Sequence, residues 1–141
     1  YTTLFRSIGS KKPFNNLEYP TAKSIRLKDI IEKDAAVDIP QYVLNRINGK
    51  YRDKPIISDP DTDDIAPTCI AHYAKDQGTR LVKDGNQIRP YTVREFARLQ
   101  GFPDTFCFAG TKNDAYRQIG NAVAVPMGRW VGSQIKSYFG N

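Results

Sequence analysis

Two stretches near the C-terminus carry their own punctuation, and any fold for this chain has to accommodate both. In YTVREFARLQGFP (91–103), Thr92 and Glu95 stand at T-x-x-E spacing. At that spacing the threonine side chain caps the third helical residue and the glutamate reaches back to the cap. Gly101 supplies a C-terminal stop, with Pro103 just beyond. In AYRQIGNAVAVPMGRW (115–130), Gly-Asn-Ala-Val separates an aromatic and basic lead-in from an apolar stretch opened by Pro126. Proline suits the first turn of a helix. Gly120 has no side chain to hold a neighbour away, so its backbone is expected to lie close against something. Beyond it, Met127, Trp130, Val131, Ile135 and Tyr138 recur on one helical face and need a surface to pack on. Gly128 and Gly132, four apart, would let that helix approach another element closely.

The rest of the chain reads less sharply. YTTLFRSIG (1–9) has the β-branched and aromatic residues of a short strand, and the stretch after it, with Pro13 and Pro20, is loop. SIRLKDIIEKD (24–34) predicts a short helix, with Ser24 as N-cap and Leu27, Ile30 and Ile31 on one face. A turn of helix is expected around Gln41–Arg46. APTCIAHYAK and TRLVKD read as strands, and Asp84-Gly85 is a hairpin signal before NQIRPY.

Length and composition set limits. The 141 residues suit one ordinary domain, and no apolar run approaches the ~20 residues needed to span a membrane. No signal peptide is visible. Cys69, Cys107 and the single His72 make neither a disulfide framework nor a metal set, which points to a reducing, intracellular setting. The net charge is +6, unevenly spread. DPDTDD (59–64) holds four acids and reads as a solvated loop, whereas Lys75 to Arg98 carries six bases against three acids and suits a polyanion.

The two C-terminal blocks together resemble the last two motifs of the DNA (cytosine-5) methyltransferase family. Arg89, Thr92, Arg94, Glu95, Arg98, Phe102 and Pro103 match the family's Arg-x-x-Thr-x-Arg-Glu-x-x-Arg helix and its Phe-Pro end. Gln118, Gly120, Asn121, Ala122 and Val123 match its Gln-x-Gly-Asn-Ala/Ser-Val turn. A lone Gly-Asn-Ala-Val would be a weak signal; both blocks in order are specific. With less force, Thr68 and Tyr73 resemble the threonine and aromatic positions of the family's target-recognition segment. The family's Pro-Cys nucleophile, its N-terminal Phe-x-Gly-x-Gly loop and its Glu-Asn-Val segment have no counterpart in this sequence.

The resemblance implies an α+β fragment: a small, irregular, β-rich recognition domain plus a strand and helices that complete a doubly wound α/β methyltransferase domain. The expected divisions are 1–34 leading out of the catalytic domain, 35–91 for target recognition, 92–114 for a bracing helix and linker, and 115–141 for the cofactor-pocket turn and last helix. Asn121 and the backbone of Ala122 are expected at the S-adenosylmethionine pocket, and Thr68, Tyr73, Lys75, Arg80 and Lys83 on double-stranded DNA. By spacing, Arg94 and Arg98 are both placed to face phosphates; the resemblance instead implies a structural role for Arg89, Arg94, Glu95 and Arg98. Cys69 and Cys107 are expected to be structural thiols. The chain opens on Tyr1 and not Met, as expected of a cut or trimmed fragment. Its partner would be a catalytic half carrying the nucleophilic cysteine, either a separate subunit or the rest of the same polypeptide. The alternative is a non-catalytic DNA-binding or regulatory subunit of the same fold. Either would be DNA-associated, in the nucleus of a eukaryote or the cytoplasm of a bacterium.

Overall fold

The computed structural model describes residues 25–50, 52–53, 55–63 and 66–139. The strand expected at 1–9, the loop at 10–21 and the cap at Ser24 lie outside them. An aromatic knot organises the core. Tyr73 stacks on Phe96 at 4.6 Å between ring centroids, and Tyr116 meets both rings edge-on at 5.2 and 5.6 Å. Leu27, Val82, Tyr91, Ala97 and Ile119 close around them. Hydroxyls inside such a cluster need partners. Tyr116 donates to the Tyr91 carbonyl at 2.7 Å, while Tyr73 donates to the Arg80 carbonyl and accepts from the Tyr91 N–H.

A three-stranded sheet lies beside this knot in the order β1 (Ile56–Ser58), β2 (Arg80–Asp84), β3 (Gln87–Pro90). β2 and β3 form the expected antiparallel hairpin, with Asp84 opposite Gln87. The loop is therefore Gly85-Asn86, and Gly85 takes the left-handed backbone (φ 58°) that this tight turn needs at its first position. β1 pairs parallel to β2, with Ile56 opposite Arg80. No alternation marks so short a strand in the sequence.

Among the described residues there are four α-helices: α1 (Gln41–Asn48), α2 (Val93–Leu99), α3 (Lys112–Asn121) and α4 (Val125–Phe139). α1 contains the turn expected at 41–46. α2 carries the anticipated capping box between Thr92 and Glu95, and Gly101 (φ 78°) ends it. α4 holds Pro126 in its first turn, and none of its residues is buried; Met127, Trp130, Val131, Ile135 and Tyr138 are half-buried on its less exposed side. Among the described residues nothing lies within 4 Å of a Cβ built at Gly128 or Gly132.

Two expected elements are different. The helix over 24–34 is only a 3-10 turn at Leu27–Asp29. The backbone after it is bonded elsewhere: Ile30 C=O accepts from Arg98, Glu32 C=O from Arg89, and Glu32 N–H donates to Glu95. Those are groups a continuing helix would pair internally. The strand over 66–75 is likewise absent; Ala71–Ala74 is a 3-10 turn that drives Tyr73 into the core.

Candidate functional site

Among the described residues Arg89 and Glu95 form the most buried charged pair, 1% and 0% exposed. The Arg89 fork meets the carboxylate with two parallel bonds, Nη2 to Oε1 at 2.8 Å and Nη1 to Oε2 at 2.9 Å. Its Nε donates to Asp84 at 2.8 Å, and its remaining protons reach the carbonyls of Glu32 and Pro90. Burial works against the charge on Arg89, but the hydrogen bonds to Glu95 and Asp84 outweigh it and hold its pKa above the ordinary value. The pair ties β3 to the first turn of α2. Arg98, farther along α2, grips Asp104 through two bonds of 2.8 Å and the Ile30 carbonyl at 3.0 Å. Arg94 reaches the Pro103 and Phe106 carbonyls at 3.4 and 3.3 Å. Arg94 and Arg98 thus hold the 103–106 loop, and both have protein partners in place of open solvent.

The Gly-Asn-Ala-Val sequence is the C-terminal end of α3, with Gly120 and Asn121 inside the helix. A Cβ on Gly120 would overlap the Ile70 carbonyl and Ala71 Cα, so the close neighbour is the segment entering the 3-10 turn of Tyr73. The Ala122 N–H bonds to the Gln118 and Ile119 carbonyls, and its own C=O accepts from Gln100 at 3.3 Å. Asn121 is exposed, and its side chain has no hydrogen bond among the described residues. Of the two expected cofactor contacts, the one with polar capacity left is Asn121.

The five residues expected on DNA do not form one surface. Tyr73 is 0% exposed and both sides of its hydroxyl are used inside the knot, so it is a core residue with nothing to offer a base. Lys83 is exposed, but Asp59 of the acidic loop accepts from its Nζ at 2.7 Å. It also lies three residues along β2 from Arg80, which puts the two side chains on opposite faces of the sheet. Thr68 and Lys75 are exposed at the two ends of the 66–75 segment. Arg80 differs from every other arginine described above. Its Nε is buried without a hydrogen-bond partner, and no carboxylate pairs with its guanidinium among the described residues.

Neither cysteine is paired. Burial pushes the Cys69 thiol up to about 12, against a smaller opposite pull from nearby Arg80. A thiol with that pKa is protonated at neutral pH and a poor nucleophile. Cys107 is exposed in the loop after α2. Among the described residues no three His, Cys, Asp or Glu side chains are placed to hold a metal ion.

Three partners in these arrangements have no signal in the sequence. Gln100 reads only as the residue before a stop glycine, Asp84 as a turn residue, and Asp59 as part of a solvated run. Gln100 and Asp59 are recognisable only once distant segments meet, and Asp84 only once the hairpin closes.

Residues 6–137 match the C-5 cytosine-specific DNA methylase family, and the chain belongs to it. It is 43% identical over 74 residues to the type II methyltransferase M.Bpa9945I of Bacillus paralicheniformis, covering 52% of this chain and 17% of that protein. It is 35% identical over 101 residues to the DNA (cytosine-5)-methyltransferase CMT3 of Arabidopsis thaliana, covering 72% of this chain and 12% of that one. The structure of the Entamoeba histolytica methyltransferase EhMeth superposes with a TM-score of 0.70 at 17% identity, over 90% of this chain and 45% of the other. The chain therefore spans less than a fifth of these two curated relatives and under half of that structure. Among the described residues no helix is long and apolar enough to cross a membrane.

Proposed function

We propose that this chain is the target-recognition and C-terminal segment of an S-adenosylmethionine-dependent DNA cytosine-5 methyltransferase. It binds double-stranded DNA and completes the active site of a catalytic half. The observation that carries this reading is a division of labour. Both C-terminal family motifs sit on one braced unit, while Cys69 is half-buried with its thiol held protonated and neither cysteine follows a proline. The reacting base must leave the duplex to be reached, which requires a reader of the flanking bases besides the catalytic groups. In this chain the reader is the 68–83 region, with Arg80 as its main contact and Thr68 and Lys75 as further ones. The cofactor supplies the methyl group, and Asn121 contributes one edge of its site. The half-buried face of α4 lies toward the catalytic part.

The test is methyl transfer from labelled S-adenosylmethionine to DNA. The purified chain alone should transfer none, and mixing it with a catalytic half bearing Pro-Cys should restore transfer. Robust methylation by the chain alone would overturn the reading. Restored DNA binding without methyl transfer would favour the regulatory-subunit alternative.

Arg80 gives a second test. In the assembled enzyme Arg80→Ala should weaken DNA binding by ~1–3 kcal/mol and relax sequence preference at one position, as loss of a base contact does. Anisotropy titrations against single-base variants of the site would show this. Unchanged affinity and preference would remove Arg80 from the interface.

A further inference from the structure

Gln100 stands at the C-cap of α2, and three bonds tie it to the chain that carries Asn121. Its Nε2 donates to the Ile119 carbonyl at 3.1 Å and to the Ala122 carbonyl at 3.3 Å. Its own backbone carbonyl accepts from the Val125 N–H at 2.8 Å. The last carbonyls of a helix have no partner within it. Gln100 gives the Ala122 carbonyl a donor, adds a second donor to the Ile119 carbonyl beside the Ala122 N–H, and pairs an N–H at the start of α4. The adjoining residue tightens the junction: a Cβ on Gly101 would fall 2.6 Å from Pro126 Cδ. The 119–125 turn is thus anchored on both sides of Asn121 by one side chain and one carbonyl of α2. The other end of that helix carries Glu95, clasped to Arg89 of β3.

We infer that Gln100 is a positioning residue for the cofactor site, holding the α3–α4 turn so that the exposed Asn121 side chain presents a fixed geometry. The inference rests on the proposed role of Asn121 and extends it. Gln100 itself donates only to the turn. Loss of its amide leaves the Ala122 carbonyl without a donor and the Ile119 carbonyl with only the Ala122 N–H, so Asn121 sits on a less firmly anchored helix end. The expected effect is on cofactor affinity more than on DNA affinity.

The experiment uses the complete enzyme, this chain together with its catalytic part. Gln100→Met keeps the length of the side chain and removes both donors. Calorimetric titration with S-adenosylmethionine should show a Kd raised about tenfold, equal to about 1.4 kcal/mol. DNA affinity without cofactor should stay within about twofold, a change of well under 1 kcal/mol. In an Asn121→Ala background the same Gln100→Met change should cost less than about twofold, because groups acting through one contact are not additive. Gln100→Asn keeps the amide one methylene short and should give an intermediate loss, which preserves the test if the methionine variant is too unstable to purify. Wild-type cofactor affinity in Gln100→Met beside a weakened Asn121→Ala would overturn the inference alone. A full tenfold loss persisting in the Asn121→Ala background would do the same, since Gln100 would then be acting on the fold at large. Wild-type affinity in Asn121→Ala would remove both the role of Asn121 and the inference built on it.

Discussion

Glu95→Gln should destabilise the protein by roughly 3–5 kcal/mol, the scale observed when one partner of a buried ion pair is removed. The side chains differ by one atom, so volume is not the cause. Each Glu95 oxygen accepts one guanidinium proton and one backbone proton: Oε1 from Arg89 and the Glu32 N–H, Oε2 from Arg89 and the Thr92 N–H, at 2.7–2.9 Å. A glutamine has one accepting oxygen. Whichever way its amide is set, the NH2 group faces two donors and Arg89 loses its buried counter-charge. The remaining partner, Asp84, has its carboxyl at the edge of the network and 13% exposed. Burial alone would raise the Asp84 pKa, but the hydrogen bond and charge of Arg89 bring it below its ordinary value. A depressed carboxylate stabilises the fold above its unfolded pKa of about 3.9 and loses that contribution as pH falls through the folded value. Asp84 is therefore fully ionised at neutral pH and still cannot replace Glu95. With urea slopes of about 1–3 kcal/mol/M, the unfolding midpoint should fall by at least about 1 M. The double change Arg89→Met with Glu95→Leu should cost less than Glu95→Gln, because it leaves no buried guanidinium behind and Asp84, at the edge of the network, keeps the Asp34 and Ala35 N–H groups as partners. A midpoint for Glu95→Gln equal to wild type would show that water enters the pair and that the clasp does not brace α2.

What was legible in the sequence follows how local each determinant is. Thr92, Glu95 and Gly101 act within a dozen residues, and the helix they bound is present with its capping box. The β2–β3 hairpin rests on Gly85 and is also present. Leu27, Ile30 and Ile31 have helical spacing, but Arg89, Glu95 and Arg98, more than fifty residues away, take the backbone groups that would have continued the helix. APTCIAHYAK has strand-like composition, yet Tyr73 is worth more stacked on Phe96 than laid on a sheet. α3 is hidden by Gly120-Asn121, which reads as a turn because glycine costs about 1 kcal/mol relative to alanine inside a helix. At its start Thr111 and Asp114 form a second capping box.

The candidate site divides in the same way. Spacing marks Arg94 and Arg98 as neighbours on one helical face but does not say what they meet, and both meet protein: carbonyls for Arg94, Asp104 and a carbonyl for Arg98. Charge alone ranks Lys83 with Arg80. Asp59 separates them, since it engages Lys83 while no carboxylate among the described residues reaches Arg80.

Gly120→Ala should be destabilising by roughly 1–3 kcal/mol or more, the cost of forcing extra volume into a packed interior. The sign is informative because the same substitution in an exposed helix stabilises by about 0.8–1 kcal/mol. Here the methyl group would overlap the Ile70 carbonyl and Ala71 Cα, which are backbone atoms and cannot rotate away. Either the end of α3 lifts or the 3-10 turn at Ala71–Ala74 moves, and the second choice pulls Tyr73 off Phe96 and away from the Arg80 carbonyl. Either way the strain falls between the turn that carries Asn121 and the segment that carries Thr68. In the complete enzyme the variant should therefore weaken both cofactor and DNA binding, whereas Gln100→Met should weaken mainly the first. Thermal denaturation with the two titrations would separate these cases. A Gly120→Ala protein as stable as wild type, with both affinities intact, would mean that α3 and the 70–71 backbone do not touch as closely as described, and that the glycine serves the turn alone.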